Sequence, residues 1–297
     1  MSKNAIAYTL LVAAIFVWSA NFIVGKFATL FQVPPLSLNF YRWAIVWVLL
    51  LPFTYKEIFS KIDEVKKNIG LFIILGITGV SIFNSVVYFA LNYTQVINAL
   101  LMISVIPVTV IFLSSIIKVE KFNFLQLLGL IVSLVGVVTI ISNADLNKIL
   151  SLSFNKGDIW MLVAVFSWAL YSTLLKKRNL PFTQLSLLQI FVTIGLFFLF
   201  PQFVGEQMAG KEITYNKAFF LILTFVVFFP SMFAFYAWQK AIEVIGPNRS
   251  SIFLHLMPLF GAIMAILIFK EKFELYHFIG AAFIISGIYL SNQKNHD

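Results

Sequence analysis

EKFNFLQLLGLIVSLVG occupies residues 120–136, and EKFELYHFIGAAFIISG occupies residues 271–287. Both open on Glu-Lys-Phe. Gly129 and Gly136 in the first stretch are matched by Gly280 and Gly287 in the second, every pair 151 residues apart. The same spacing carries Pro107 to Pro258, and a spacing of 150 carries Phe16-x-Trp18 and Lys26 to Phe166-x-Trp168 and Lys176. One register held over so many positions marks an internal repeat.

What is repeated follows from composition. The 297 residues are 61% hydrophobic and 11% charged, with a mean hydropathy of +0.95. A soluble domain has about 25% charged residues, so an ordinary globule and a disordered chain are both excluded. A spanning helix needs about 20 apolar residues. Ten such stretches are present, near 6–28, 36–54, 70–91, 95–117, 124–142, 158–176, 183–204, 218–239, 248–269 and 275–292. The first follows Lys3 like a signal peptide but outruns the roughly 7–15 residues of such a core, and reads as a retained span. The sequence therefore predicts an all-α integral membrane protein. Its two five-helix repeats cover 6–142 and 158–292 and are joined by a loop at 143–157. Five is odd, so the second copy enters the membrane in the opposite sense. Inverted repeats of this kind build many secondary transporters, with the site near the midplane between copies.

The net charge of +9 resolves into topology. With the N-terminus cytoplasmic, thirteen Lys and Arg fall on the inner side and seven on the outer, with Arg42 left inside helix 2. That bias places both termini inside. It also accounts for the basic balance without nucleic acid. Asn123 followed by Gln126 reads as a capping box opening helix 5. Pro107 and Pro258 lie within apolar runs, where proline frees a carbonyl and bends a helix, and they are candidate hinges. The four glycines suit close helix packing. Glu120 and Glu271 are expected to organise the helix 4–5 and 9–10 connections with their neighbouring lysines.

Taken together, the Trp18 region, Arg42, Ala90-Leu91-x-Tyr93-Thr94, Pro107 and Glu120-x-Phe122-x-x-x-Gln126-x-x-Gly129 resemble the drug/metabolite transporter superfamily. The second copy keeps Pro258, Glu271 and Gly280. Within that superfamily the chain looks like the ten-helix branch with two EamA-type repeats. The resemblance covers essentially the whole chain. It implies a multi-pass inner-membrane carrier, most often an exporter of amino acids or other small metabolites, with a central cavity among helices 1, 3, 4, 6, 8 and 9. Two departures stand out. Gln189 sits about where the first copy has Arg42, and Glu274 stands where a cap like Asn123 is expected.

Polar groups at membrane depth need a reason. No Asp or Glu lies well inside the predicted spans, and Asp158 sits at a boundary. That argues against cationic-drug export, which in this superfamily uses an intramembrane carboxylate. Arg42 lies about 9 Å into helix 2 at 1.5 Å per residue. It reads either as an anchor for a substrate carboxylate or as an arginine snorkelling to the headgroups. His255, three residues before Pro258, reads either as a cavity group or as a neutral histidine bonded to a neighbouring helix. His277 and His296 lie near a helix end and in the tail and read as bystanders.

The remaining site candidates are amides and aromatics: Trp18 with Asn21 on helix 1, Asn84 with Tyr88 on helix 3, and Asn98 opening helix 4. Trp168 with Tyr171 on helix 6 and Tyr236 with Gln239 on helix 8 complete the set. Each pair shares a helix face. Singly they read as packing or interfacial aromatics; as a set they read as an apolar lining with a few polar groups, which is what a small-molecule site looks like.

An enzyme is not expected. There is no cysteine, and no buried nucleophile–base pair, set of metal ligands or phosphate-binding Gly-Lys-Ser/Thr loop. No cofactor or metal is called for. The favoured reading is a monomeric carrier of small zwitterionic or anionic metabolites in the lipid bilayer. The alternative is an organic-anion or nucleotide-sugar/sugar-phosphate exchanger, to which Lys26 and Lys176 would contribute.

Overall fold

In the computed structural model the described residues are 2–90, 93–94, 96–177, 180–270 and 272–293, less the side chains of Lys26, Thr29, Tyr88, Val96, Ile97, Lys177 and Phe269. They are helical almost throughout, and no strand occurs among them. Ten helices follow one another: α1 Lys3–Leu30, α2 Pro35–Ser60, α3 69–90, α4 96–116, α5 Phe124–Ser142, α6 Lys156–Lys177, α7 Gln184–Met208, α8 Lys217–Ile245, α9 247–269 and α10 Leu275–Ser291. The first nine are long and apolar enough to cross a membrane. α10 has 17 residues, about 25 Å at 1.5 Å per residue, close to the thickness of a bilayer core. The chain is thus a multi-pass membrane protein, and its ten helices are those expected from the sequence. Two short helices, Ile62–Lys67 and Leu146–Leu150, lie in the connections.

Local chemistry sets the helix ends. Asn123 Oδ1 accepts the Gln126 N–H at 2.7 Å while Gln126 Oε1 accepts the Asn123 N–H at 3.2 Å, the reciprocal cap read from the sequence. At α10 the ring of His277 takes the equivalent part, its Nδ1 accepting the Glu274 N–H at 3.0 Å. His277 is therefore a capping group rather than a bystander.

Two irregularities repeat with the sequence. α3 widens into a π-turn at Gly76–Ile82 and α8 does so at Val227–Phe233, 151 residues later. α4 breaks between Ile103 and Ile106, and α9 passes through a 3-10 turn at Phe253–His255. Pro107 and Pro258 stand just after these breaks, in the first turn of the next helical segment, where a missing N–H costs nothing. Such breaks at membrane depth are tolerated where neighbouring protein satisfies the backbone.

Two helix pairs hold the repeats together. On α5 and α10 the matched glycines face one another: a Cβ on Gly136 would lie 2.6 Å from the Gly280 carbonyl oxygen, and one on Gly129 would lie 2.6 Å from the Ser291 nitrogen. The two backbones are in contact. α2 and α7 exchange caps instead. Glu206 Oε2 accepts the backbone N–H and hydroxyl of Ser37 at 2.6 and 2.8 Å. Glu57 Oε2 accepts the hydroxyls of Ser186 and Thr183 at 2.5 and 2.7 Å. Ser37 and Ser186, like Glu57 and Glu206, are 149 residues apart.

That register corrects two expectations. The counterpart of Arg42 is Phe191, not Gln189. Carboxylates also do lie inside the helices, because α2 and α7 run on to Ser60 and Met208. Glu206 is buried there, tied to the start of α2.

Candidate functional site

Trp18 and Trp168 are symmetry mates in sequence, and in space they touch. Their rings meet edge to face at 5.3 Å and 85°. The Phe-x-Trp pattern explains the placement. Two residues along a helix turn the side chain by about 200°, so Phe16 and Phe166 point outward, half exposed, while the tryptophans point inward. Around this pair stand Tyr171 of α6, Phe83 of α3, and Phe235 and Trp238 of α8. Each has its ring within 4.8–5.9 Å of Trp168. Trp43 of α2 backs the cluster against Phe235 at 4.9 Å. Edge-to-face packing of this kind is worth about 0.5–1.5 kcal/mol per pair beyond area burial.

The indole N–H groups are used unequally. Trp18 Nε1 donates to the Pro230 carbonyl at 3.0 Å, within the π-turn of α8. Trp238 Nε1 donates to the Ser172 hydroxyl at 3.2 Å. Trp168 Nε1 is buried with no hydrogen-bond partner, a donor held in reserve at the centre of the ring cluster. Arg42 lies behind Trp43, only 3% exposed. Its Nε donates to the Ser231 hydroxyl at 2.8 Å, and that hydroxyl donates on to the Val226 carbonyl at 2.6 Å. The guanidinium is therefore turned into the π-turn of α8 and not out to headgroups.

Of the expected site residues, Trp18, Trp168 and Tyr171 come together in the cluster. Gln239 is fully buried beside Trp238 on α8. Asn21, Asn84 and Tyr236 are half-buried on helices that also contribute to the cluster; the Tyr88 side chain lies outside the described residues. Asn98 stands apart. Its amide reaches both Asp158 oxygens at 3.4 Å, within a capping cluster at the start of α6 that also contains Thr94 and Asn155. His255 stands apart as well. Nε2 lies 3.0 Å from the Ser104 carbonyl oxygen, at the break in α4, and Nδ1 lies 2.7 Å from the Ser133 hydroxyl of α5. The ring thus bridges the two helix breaks, since Ser104 and His255 occupy matching positions 151 residues apart. Among the described residues, no three His, Cys, Asp or Glu are grouped to hold a metal ion.

Phe83, Ser231, Phe235 and Trp238 were not singled out by the sequence. The signal was present on α8: Ser231, Phe235 and Trp238 follow i, i+4, i+7 and share one face. Tyr236 lies one residue, about 100°, off that face.

The comparisons with known proteins agree with this architecture. The sequence matches the EamA-like transporter family over residues 5–142 and 155–293. The chain belongs to the EamA-like transporter family. An uncharacterized transporter of Archaeoglobus fulgidus is 29% identical over 99% of both chains. Another, of Clostridium kluyveri, is 30% identical over 97% of this chain and 94% of its own length. A solved crystal structure superimposes with a TM-score of 0.72 at 15% identity, covering 98% of both chains; that likeness concerns the fold. The protein is a transporter and not an enzyme.

For this transporter the His255 bridge makes a separable prediction. His255→Ala leaves the Ser104 carbonyl and Ser133 hydroxyl without their shared partner in a dry interior, a loss of about 1–3 kcal/mol. The melting midpoint in detergent is expected to fall while the half-saturation constant of the surviving protein stays unchanged. A raised half-saturation constant would instead place the ring in contact with substrate.

Proposed function

We propose that this transporter is a secondary carrier of small metabolites, amino acids or related zwitterionic and anionic compounds, exporting them across the inner membrane by alternating access. Both termini are cytoplasmic in this reading, and the working unit is a monomer. The observation that carries it is the aromatic cluster. It draws Trp18 from one repeat and Trp168 from the other into direct contact, and none of its side chains is a carboxylate. A site shared by two inverted repeats is where a substrate is exposed to each side in turn. Rings offer an apolar surface, the Trp168 N–H offers a donor, and the guanidinium of Arg42 behind Trp43 favours a negative group over a positive one.

Counterflow of labelled amino acids into proteoliposomes of the purified protein tests this directly. Saturable exchange is expected for amino acids with apolar side chains and not for organic cations. Arg42→Gln is expected to raise the half-saturation constant for amino acids about fivefold or more, about 1 kcal/mol of lost charge attraction. Sugar phosphates belong in the same panel. Exchange of these alone would favour the anion-exchanger class, although Lys176, one of its expected lysines, is spent on the Glu243 carbonyl at 2.8 Å.

A further inference from the structure

Glu120 lies outside the aromatic cluster, on the turn between α4 and α5, and its side chain crosses to the other repeat. Oε2 accepts the Asn248 backbone N–H at 3.1 Å, at the start of α9. Gly246, at φ +84°, turns the chain there, and a Cβ on it would fall 2.5 Å from Glu120 Oε1. The carboxylate is thus wedged beneath the α8–α9 turn. Behind it, the Ser114 carbonyl accepts the Glu120 N–H at 3.4 Å. The Ser114 hydroxyl and both side-chain amide atoms of Asn248 are fully buried and have no hydrogen-bond partner. A cleft of about 540 Å³ is lined by Ser115, Lys118, Val119, Glu120, Lys121 and Phe122.

We propose that Glu120 is a proton-binding site that works the α8–α9 turn: ionised, it holds this turn against the α4–α5 turn and closes that face; protonated, it releases it. The proposal rests on the carrier reading above and adds a coupling ion to it. An ionised carboxylate holds the Asn248 N–H by a charge-assisted bond, about twice as strong as a neutral one. It also attracts Lys176 of α6 and Arg249 of α9. On its own turn Lys118 and Lys121 line the same cleft. From α8, Glu243 is already bonded to Lys240 and Gln184.

Once protonated, Glu120 becomes a donor and needs an acceptor. The unpartnered Ser114 hydroxyl, on its own repeat, can supply one, and a carboxyl turned to it lets go of the Asn248 N–H. Burial raises Glu120 above the ordinary glutamate value, against the opposing pull of the Asn248 N–H, Lys176 and Arg249. Protonation therefore comes at a less acid pH than for an exposed glutamate. The polar pair is also one-sided. At the matching positions of the other repeat, Asn248 is replaced by Ile97 and Ser114 by Ala265, so the pair is not part of the repeated framework.

The chain has no cysteine, so a single reporter thiol can be read without background. Ser250 is fully buried in this turn, its hydroxyl donating to the Gly246 carbonyl at 2.7 Å. Full-length Ser250→Cys protein in nanodiscs is reacted with a maleimide across a pH series, with and without Glu120→Gln. The ratio of the two rates cancels the titration of the thiol itself. Glu120→Gln, which cannot ionise, is expected to label faster at alkaline pH. The gap should close by about tenfold per pH unit on acidification, the slope of one titrating group. A ratio of one throughout overturns the proposal. So does a constant ratio indifferent to pH, which is what a purely structural cap produces. Glu120→Asp keeps an ionisable group and is expected to retain the pH-dependent slope, so the test survives a poorly folding glutamine variant; a flat Asp profile also overturns it. Labelling needs no substrate, so its failure is distinct from a failure of counterflow.

Discussion

Gly136→Leu is expected to lower the melting midpoint of the protein in detergent by roughly 6–12 °C, corresponding to about 3 kcal/mol. The clash is with backbone. A Cβ on Gly136 would lie 2.6 Å from the Gly280 carbonyl oxygen and 2.8 Å from the Ile284 nitrogen, and neither can swing aside as a side chain would. Overpacking ordinarily costs about 1–3 kcal/mol because neighbours shift to absorb it; here the whole of α10 must move off α5. Gly205 is the control. A Cβ there meets nothing within 4 Å, so Gly205→Ala is expected to be neutral or to stabilise by up to about 1 kcal/mol through helix propensity. Equal melting shifts for the two variants would mean that the α5–α10 contact is looser than described.

Trp168→Ala is expected to abolish saturable exchange and to cost about 3–5 kcal/mol of stability. The indole touches Trp18, Phe83, Tyr171, Phe235 and Trp238, from four helices. Removing it dismantles the place where the two repeats meet. Trp168→Phe separates transport from folding. It retains a ring and most of the packing but loses the unpartnered N–H and part of the aromatic face. Its melting midpoint should recover most of the loss, while the half-saturation constant rises by about two- to tenfold, the equivalent of 0.5–1.5 kcal/mol of ring contact. Unchanged transport in Trp168→Phe together with restored stability would reduce the cluster to a packing core.

What the sequence made readable here are properties that survive in one dimension. Apolar length marks ten helices, and a fixed spacing pairs Gly129 and Gly136 with Gly280 and Gly287. Pro107 and Pro258 mark the neighbourhood of two helix breaks because proline removes a donor wherever it falls. What stayed hidden depends on three-dimensional partners. Nothing local distinguishes Gly76–Ile82 from an ordinary helix; its π-turn appears only against α7 and Tyr171. Helix ends were set by apolar windows, so Glu57 and Glu206 fell outside them, although each is held within its helix by hydroxyls of the other repeat. On α8, polarity drew attention to Tyr236 and Gln239, whereas the ring cluster is built from Phe235 and Trp238. Polar type is a poor guide where the lining itself is apolar. His255 was legible as a buried histidine, but its partner is a backbone carbonyl freed by a break 151 residues earlier, which no side-chain pattern records.

The exchange of caps between α2 and α7 also orders events in time. Ser37 is made 169 residues before Glu206, the carboxylate that satisfies it. At roughly 5–20 residues per second, synthesis takes about ten to thirty seconds to bridge that gap. By its end the first five helices have been made with the entry to α2 still unsatisfied, and a chain that stops early keeps that defect for good. The second repeat is in this sense the first one's last folding step, and a truncated product differs from a finished one in leaving Ser37 and Glu57 without these partners.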